Sequence, residues 1–222
     1  MNDVIGTILP LSMGVALSPF PIIMIVLLLG SERPKANGLA FLAMWMVGLA
    51  AIVAILTFAM DALDSAGNDP GTIAGVLRII LGAGLLFLAA RKFTKRFGPS
   101  DAGPLPRWMA SAGTCSPGRS TVMGLALSAA NPKNIGLTAA AGATIGAADL
   151  ALPAELWSMA AYLLLASATV IVPVTAHLVA PQKLSLPLRA IMEWLQVNHS
   201  VMTGLLLVVF GFILIGNGIG SF

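Results

Sequence analysis

Two basic residues, Lys133 and Arg78, stand inside long apolar runs of this sequence, where an unpaired charge is costly. Lys133 lies near the middle of its run, and no carboxylate lies at a similar depth in another run. A charge at the centre of a bilayer costs about 2.5–3.5 kcal/mol on insertion scales, so it usually faces a cavity or a partner. Either desolvation removes the proton of Lys133, or an anion from outside the protein meets it. The alternative to both is that the side chain snorkels to the interface.

Arg78 lies nearer to one end of its run and can reach the interface. Three carboxylates precede it along the chain, those of Asp61, Asp64 and Asp69. We therefore expect an ion pair between Arg78 and one of them. The alternative is that Arg78 binds a phosphate or carboxylate of a substrate.

Two nearly identical segments each lead into a helix-breaking element. They are MGVALS at residues 13–18, followed by Pro19 and Pro21, and MGLALS at residues 123–128, followed by Asn131-Pro132. Proline inside a helix removes a backbone hydrogen bond, and in lipid the freed carbonyl must find a partner or line a cavity. Breaks at matching places in two halves of a membrane protein indicate a binding site near the midplane. A kink that serves packing alone is the alternative.

Polar side chains accompany both breaks. They can satisfy freed backbone groups or a ligand, and the two roles can coexist. The candidate substrate-binding residues are therefore Lys133, Asn131, Asn134, Ser18, Ser128 and Arg78.

The composition predicts the elements that must position these residues. Of the 222 residues, 58% are hydrophobic and 9% charged, and the mean hydropathy is +0.94. Soluble domains average roughly 25% charged residues, so the chain is predicted to be an all-α integral membrane protein. A membrane-spanning helix needs about 20 mostly apolar residues. Six runs of this kind occur, at residues 5–29, 39–60, 72–90, 120–145, 156–179 and 201–219. The first run follows Asp3 and no basic residue, unlike a cleavable signal peptide, so we expect it to be retained.

The charges are segregated between alternate loops. Ten of the twelve basic residues lie in the first, third and fifth loops, between residues 33 and 189. The even-numbered loops and both ends of the chain carry no basic residue, and the acidic residues Asp3, Asp61, Asp64, Asp69, Asp149 and Glu155 lie in these loops and at the N-terminal end. Basic loops stay in the cytoplasm, so both termini are predicted to lie outside.

The repeated segments divide the chain into two halves. Residues 1–91 form the first three-helix repeat, residues 92–118 a basic cytoplasmic linker, and residues 119–222 the second repeat. Because three is odd, the second half enters the membrane from the opposite side, which gives an inverted-topology repeat with its first and fourth helices face to face. Apolar residues at helical spacing in residues 184–198 predict an interfacial helix on the cytoplasmic surface.

The sequence argues against several other kinds of site. The single Cys115 excludes an intramolecular disulfide and a dithiol relay, and two distant His residues argue against a metal exporter. No phosphate-binding G-x-x-x-x-G-K-[ST] motif occurs, and Ser18 lacks a base. We expect no catalytic residue, no metal site, no cofactor and no nucleic-acid partner, so the chain is not expected to be an enzyme.

These residues carry a resemblance to a family of transporters. The Asn-Pro-Lys element at residues 131–133 resembles that of amino-acid exporters in the lysine-exporter superfamily of six-helix transporters. Within it, LSPFP at residues 17–21 and LGSERP at residues 29–34, with Gly38, are similar to the actinobacterial GAP family of sulfolipid or peptidoglycolipid addressing proteins. The resemblance implies delivery of envelope glycolipids or lipid intermediates across the bacterial inner membrane.

Together these observations predict a secondary transporter or flippase-like carrier that exports an anionic or glycosylated envelope lipid, with its site between helices one and four. Two alternatives stay open. One is an amino-acid or small-solute exporter, and the other is an accessory or scaffold subunit of a larger lipid exporter. The expected partners are the membrane, an anionic lipid or related envelope metabolite and, as candidates, a second copy of the chain or that larger exporter.

Overall fold

A computed structural model describes residues 2–94 and 114–222 of the chain. Within these ranges all of the regular secondary structure is helical. The helices are α1 Asn2–Ala16, α2 Pro19–Leu29, α3 Pro34–Ser65, α4 Pro70–Thr94, α5 Pro117–Ala129, α6 Pro132–Gly146, α7 Leu152–Ala166, α8 Ala168–Val179 and α9 Pro181–Ile219. Most of the predicted linker, including Lys95, Arg96 and Arg107, lies outside the described residues.

Proline sets the start of most of these helices. It occupies the first position of α2, α3, α4, α5, α6 and α9. The first helical residue needs no backbone N–H, and the fixed φ of proline suits it, so proline starts a helix without cost. Pro10 and Pro173, by contrast, lie inside α1 and α8.

Three of the described helices are long and apolar enough to cross a membrane by themselves. They are α3, α4 and the Val197–Ile219 part of α9. Two bent pairs, α1 with α2 and α7 with α8, raise the number of candidate spans to five if each pair crosses as one. The remaining predicted span, residues 120–145, corresponds to α5 followed by α6, so the number of six spans stays a prediction. The predicted interfacial segment at residues 184–198 is continuous with the last span, because both belong to the single helix α9.

Small residues bring the helices into close contact. The helix α3 packs along α5 and α6, and α4 packs along α9. A Cβ atom on Gly142 of α6 would lie 2.6 Å from the carbonyl oxygen of Val53 in α3, and one on Gly82 of α4 would lie 2.7 Å from that of Gly211 in α9. Close backbone approach of this kind stabilises helix pairs in lipid.

The two kinds of loop gather at opposite ends of the helix bundle. At one end, Asn37 at the start of α3 donates hydrogen bonds to Ser31 Oγ (2.8 Å) and to the carbonyl of Cys115 (2.9 Å). We call this the basic end, because the basic loops adjoin it. At the other end, Asp61, Asp64, Asp149 and Glu155 line one cavity of about 550 Å³. We call this the acidic end.

Candidate functional site

Three interruptions of helices meet in the middle of the bundle. The helices α1 and α2 are bent by 52° at Leu17-Ser18, and α7 and α8 are bent by 68° at Ser167. The third interruption, at Ala130-Asn131, separates α5 from α6. Side chains at each interruption form hydrogen bonds to residues at another interruption. We call Ser18, Lys133, Asn134 and Thr169 the central break cluster.

The end of α1 leaves two backbone carbonyls without partners from its own helix. The N–H of Leu17 bonds to the carbonyl of Met13 (2.9 Å), and that of Ser18 bonds to Val15 (3.0 Å). The next residue, Pro19, has no N–H to donate. The carbonyls of Gly14 and Ala16 are therefore the free ones that a helix end in lipid must satisfy from elsewhere.

Lys133 and Thr169 supply the missing donors. The Nζ of Lys133 donates to the carbonyl of Gly14 (2.5 Å), and the Oγ1 of Thr169 donates to that of Ala16 (2.6 Å). Lys133 is 3% exposed. Its Nζ also faces the partially negative C-terminal end of α1, which favours the charged form of the amine. The structure thus gives Lys133 a partner that the sequence analysis did not consider, since that partner is a backbone group.

Ser18 and Asn134 join the first interruption to the second. Ser18 Oγ donates to Asn134 Oδ1 (2.9 Å), and Asn134 Nδ2 donates to the carbonyl of Leu127 at the end of α5 (3.0 Å). All three groups are buried or partly buried. Ser18 therefore bonds across the bundle instead of capping α2, whose first turn includes Pro19 and Pro21 and so has few N–H groups to satisfy.

Asn131 and Ser128 bond within their own segment. Asn131 Oδ1 accepts a hydrogen bond from the N–H of Lys133 (3.1 Å) and so caps α6, which begins at Pro132. Ser128 Oγ donates to carbonyls one turn earlier in α5 and packs against Gly48 of α3. In this structure both side chains shape the interruption between α5 and α6, and Asn131 is joined to the central break cluster through the backbone N–H of Lys133.

The interruption at Ser167 was not predicted. No proline marks it, and the only signal is the pair of hydroxyl residues Ser167 and Thr169 within an apolar run. Ser167 Oγ accepts from Trp45 Nε1 of α3 (3.2 Å). Next to it, Tyr162 donates its hydroxyl hydrogen to Thr138 Oγ1 of α6 (2.9 Å). These bonds fix α7 and α8 against the helices of both halves.

Arg78 lies away from this cluster, at the acidic end. Its Nη1 donates to Ser221 Oγ (2.7 Å) and its Nη2 to Thr144 Oγ1 (3.0 Å). The expected ion pair with a carboxylate is not formed among the described residues. One reason is that Asp69 is engaged at the start of α4, where it accepts from the N–H of Gly71 and the hydroxyl of Thr72.

An apolar groove opens beside the central break cluster. It has a volume of about 350 Å³ and lies between α2, α8 and α9. Its lining consists of Ile22, Val26, Ala168, Thr169, Val172, Pro173 and Ile191. Thr169 belongs to both features, because its hydroxyl bonds to the end of α1 and its side chain lines the groove.

Comparison with known proteins gives one finding. The model of a family described as Sap, sulfolipid-1-addressing protein, matches residues 8–220, which include all three interruptions. No curated protein and no solved structure matches the chain. The match confirms the resemblance to sulfolipid-addressing proteins that residues 17–21 and 29–34 indicated, whereas the relation to lysine exporters stays a prediction.

Proposed function

Because the chain belongs to the family of sulfolipid-1-addressing proteins, we propose that it is a carrier that exports an anionic or glycosylated envelope lipid, or a lipid intermediate, across the bacterial inner membrane. Family membership and the apolar helices make it a multi-pass membrane protein concerned with sulfolipid addressing. One observation carries the proposal of a carrier. The buried cation of Lys133 bonds to a helix-end carbonyl, at the point where three interrupted helices meet.

The position of the interruptions supports alternating exposure. The first half of the chain supplies the interruption at residues 17–18, and the second half supplies those at residues 130–131 and 167. In transporters built from inverted repeats, the site lies where broken helices from the two halves meet, and rocking of one half exposes it to either side. We propose that the two halves of this chain are such repeats and that both of its ends lie outside.

Lys133 can exchange one partner for another. A helix C-terminus carries only about half of an elementary charge, whereas a sulfate or phosphate oxygen belongs to a full anion. A protonated lysine makes a charge-assisted hydrogen bond with either partner, but only the anion adds the Coulomb attraction of a full negative charge. In our proposal, a headgroup anion replaces the Gly14 carbonyl at Lys133, and the freed end of α1 then moves.

The apolar groove supports a lipid substrate over a free amino acid. Apart from Thr169, its walls consist of aliphatic side chains from α2, α8 and α9. An acyl chain lying in this groove would place its headgroup beside the end of α1, because Thr169 contacts both. Ser18 and Asn134, next to Lys133, are the proposed additional ligands for a headgroup.

Transport by the purified chain tests this proposal. Liposomes would contain the protein and a fluorescent sulfated glycolipid, and its movement between leaflets would be followed by a membrane-impermeant quencher. We expect the wild type to move the lipid without other proteins. The variant Lys133→Met should slow movement by at least about tenfold, because losing one partner of a buried charge pair costs 2–5 kcal/mol or more.

Two further variants complete the test. Lys35→Met removes an exposed cation at the basic end and should leave movement unchanged, while Lys133→Arg keeps the charge and should retain part of the activity. Equal movement by Lys133→Met and wild type would exclude the role of Lys133. Failure of the folded wild type to move the lipid alone would favour the accessory-subunit alternative, in which a larger exporter is the partner.

A further inference from the structure

We propose a second binding site, at the acidic end, in which Arg78 binds an oxyanion of a sulfate, sulfonate or phosphate group. A cavity of about 320 Å³ lies there, and its lining includes Asp3, Thr7, Gly71, Arg78, Thr144 and Ser221. This volume is at the lower limit of small-ligand pockets. It suits a headgroup or a free anion and is too small for a whole glycolipid.

The hydrogen bonds of Arg78 orient its guanidinium without neutralising it. Its two acceptors, Ser221 Oγ and Thr144 Oγ1, donate their own hydrogens to the carbonyls of Asn217 (2.9 Å) and Ala140 (2.7 Å). Each hydroxyl therefore turns lone pairs toward Arg78. Neither brings a negative charge, and within residues 2–94 and 114–222 no ion pair involves Arg78. The cation is held in place with its charge unpaired.

The two hydrogen bonds described above leave other N–H groups of the Arg78 guanidinium available for a ligand. Arginine has five N–H groups in a planar fork, and two of the nitrogen atoms make the bonds described above. The third nitrogen, Nε, has no acceptor among the described residues and is buried, so a ligand in the cavity does not reach it. Each terminal nitrogen carries a second N–H, and an oxyanion in the cavity would accept hydrogen bonds from these two groups.

Carboxylates near the cavity oppose a bound anion. The N–H of Gly71, at the start of α4 and on the cavity wall, already donates to Asp69 Oδ1 (3.0 Å). Asp3 also lines the cavity and is exposed, so its carboxylate opposes an anion held there. The balance suits a site that releases its ligand. We call the cavity an exit site if the ligand it releases is the transported lipid. That role rests on the proposed carrier function, whereas binding of an oxyanion does not.

Binding to the full-length protein in detergent tests the inference. Isothermal titration with sodium sulfate at constant ionic strength should give saturable binding to the wild type. Arg78→Met should raise the Kd by about tenfold or more, the factor that corresponds to losing 1.4 kcal/mol. Arg91→Met is the matched control, because it removes an exposed cation from the other end of the same helix, and it should leave the Kd unchanged.

A milder variant protects the test against misfolding. Ser221→Ala removes one of the two hydroxyl groups that orient Arg78. This variant should raise the Kd a few-fold, and its melting temperature should equal that of the wild type. Equal Kd values for wild type, Arg78→Met and Ser221→Ala, or no saturable binding to the wild type, would overturn the inference.

Nanodiscs distinguish the two sources of the oxyanion. If the site takes a lipid headgroup, a sulfated glycolipid in phosphatidylcholine nanodiscs should compete with sulfate in wild type and not in Arg78→Met. Binding of sulfate without competition would support a site for a free anion and overturn its role as an exit site. Lipid movement that fails while sulfate still binds would refute the proposed function and leave the oxyanion site standing.

Discussion

At the scale of single residues, Lys133 shows how the protein can bury a cation without a carboxylate. Proline at position 19 frees carbonyls at the end of α1, and Lys133 and Thr169 bond to two of them. A proline directly after α1 therefore helps to create the partner for a charge more than one hundred residues away. The sequence shows that a charge at Lys133 needs a partner. It does not show that the partner is a backbone carbonyl, because every residue has one and residue type does not mark the free ones.

Thr169 illustrates a contact that the sequence could not reveal. Threonine hydroxyls within helices commonly bond to a carbonyl of their own helix, as Thr175 does. Thr169 stands at the start of α8, directly after an interruption, and its hydroxyl reaches α1 instead. Only the bend between α7 and α8 gives it this direction.

The variant Thr169→Val tests the role of this bond in stability. Valine preserves the shape and removes the donor, so the Ala16 carbonyl loses its partner. We expect the free energy of unfolding to fall by about 1–3 kcal/mol, the cost of an unsatisfied buried polar group. Thermal melting in detergent measures the change, and Thr175→Val in the same helix is the control, since its hydroxyl bonds within α8. Identical melting of the two variants would contradict this account of the break.

At the scale of helices, proline predicts starts better than it predicts interruptions. The prolines at 19, 21 and 132, which the sequence analysis associates with breaks, each lie in the first turn of a helix. Pro10 and Pro173 lie inside α1 and α8 without ending either helix, and the 68° bend at Ser167 has no proline. Tertiary contacts such as that between Ser167 and Trp45 stabilise this bend, and they are not local in the sequence.

Glycine contacts between helices give a prediction at this scale. In Gly142→Ala the new methyl group would lie 2.6 Å from the carbonyl oxygen of Val53, so α3 and α6 must move apart. We expect a loss of about 1–3 kcal/mol, the usual cost of overpacking. Gly84→Ala is the matched control, because nothing lies within 4 Å of its new methyl group. It should be neutral or stabilise α4 by up to about 1 kcal/mol, since alanine favours helix. The melting temperature should therefore fall in Gly142→Ala and stay equal or rise in Gly84→Ala. An equal shift in both variants would contradict the close contact between α3 and α6.

The start of α4 gives a prediction that depends on pH. The hydrogen bonds that Asp69 accepts from Thr72 and Gly71 lower its pKa below the ordinary value. A lowered pKa in the folded state contributes stability above the unfolded pKa, and this stability is lost as pH falls through the folded pKa. The variant Asp69→Ala should therefore melt below the wild type at neutral pH, and the difference should disappear at acidic pH. A difference in melting temperature that grows as the pH falls would contradict the role of Asp69 at the start of α4.

At the scale of the whole molecule, the charges divide the bundle into two ends. The carboxylates of loops far apart in sequence meet around one cavity, as expected from their placement in even-numbered loops. The separation of charges could be predicted from the sequence because it depends on residue type alone. Contact between helices could be predicted only for α1 and α6, from the repeated segments, whereas no sequence signal indicated the packing of α4 against α9.

The direction of the bundle in the membrane is a prediction at this scale. Because basic loops stay in the cytoplasm, epitope tags added to either end of the chain should be accessible to antibody on intact cells with a permeable outer envelope. A tag inserted between residues 35 and 36 should be reached only after the inner membrane is opened. The reverse pattern would place the acidic end in the cytoplasm and make the Arg78 cavity a site of entry.

A structure of the protein in nanodiscs with a sulfated glycolipid would test the central claim most directly. The quantity to measure is the distance between Lys133 Nζ and the Gly14 carbonyl oxygen, which is 2.5 Å in the structure described above. We predict that a headgroup oxygen replaces this carbonyl, so the distance grows beyond about 3.5 Å, where a hydrogen bond no longer exists. A lipid bound elsewhere, with Lys133 still bonded to Gly14, would contradict the account.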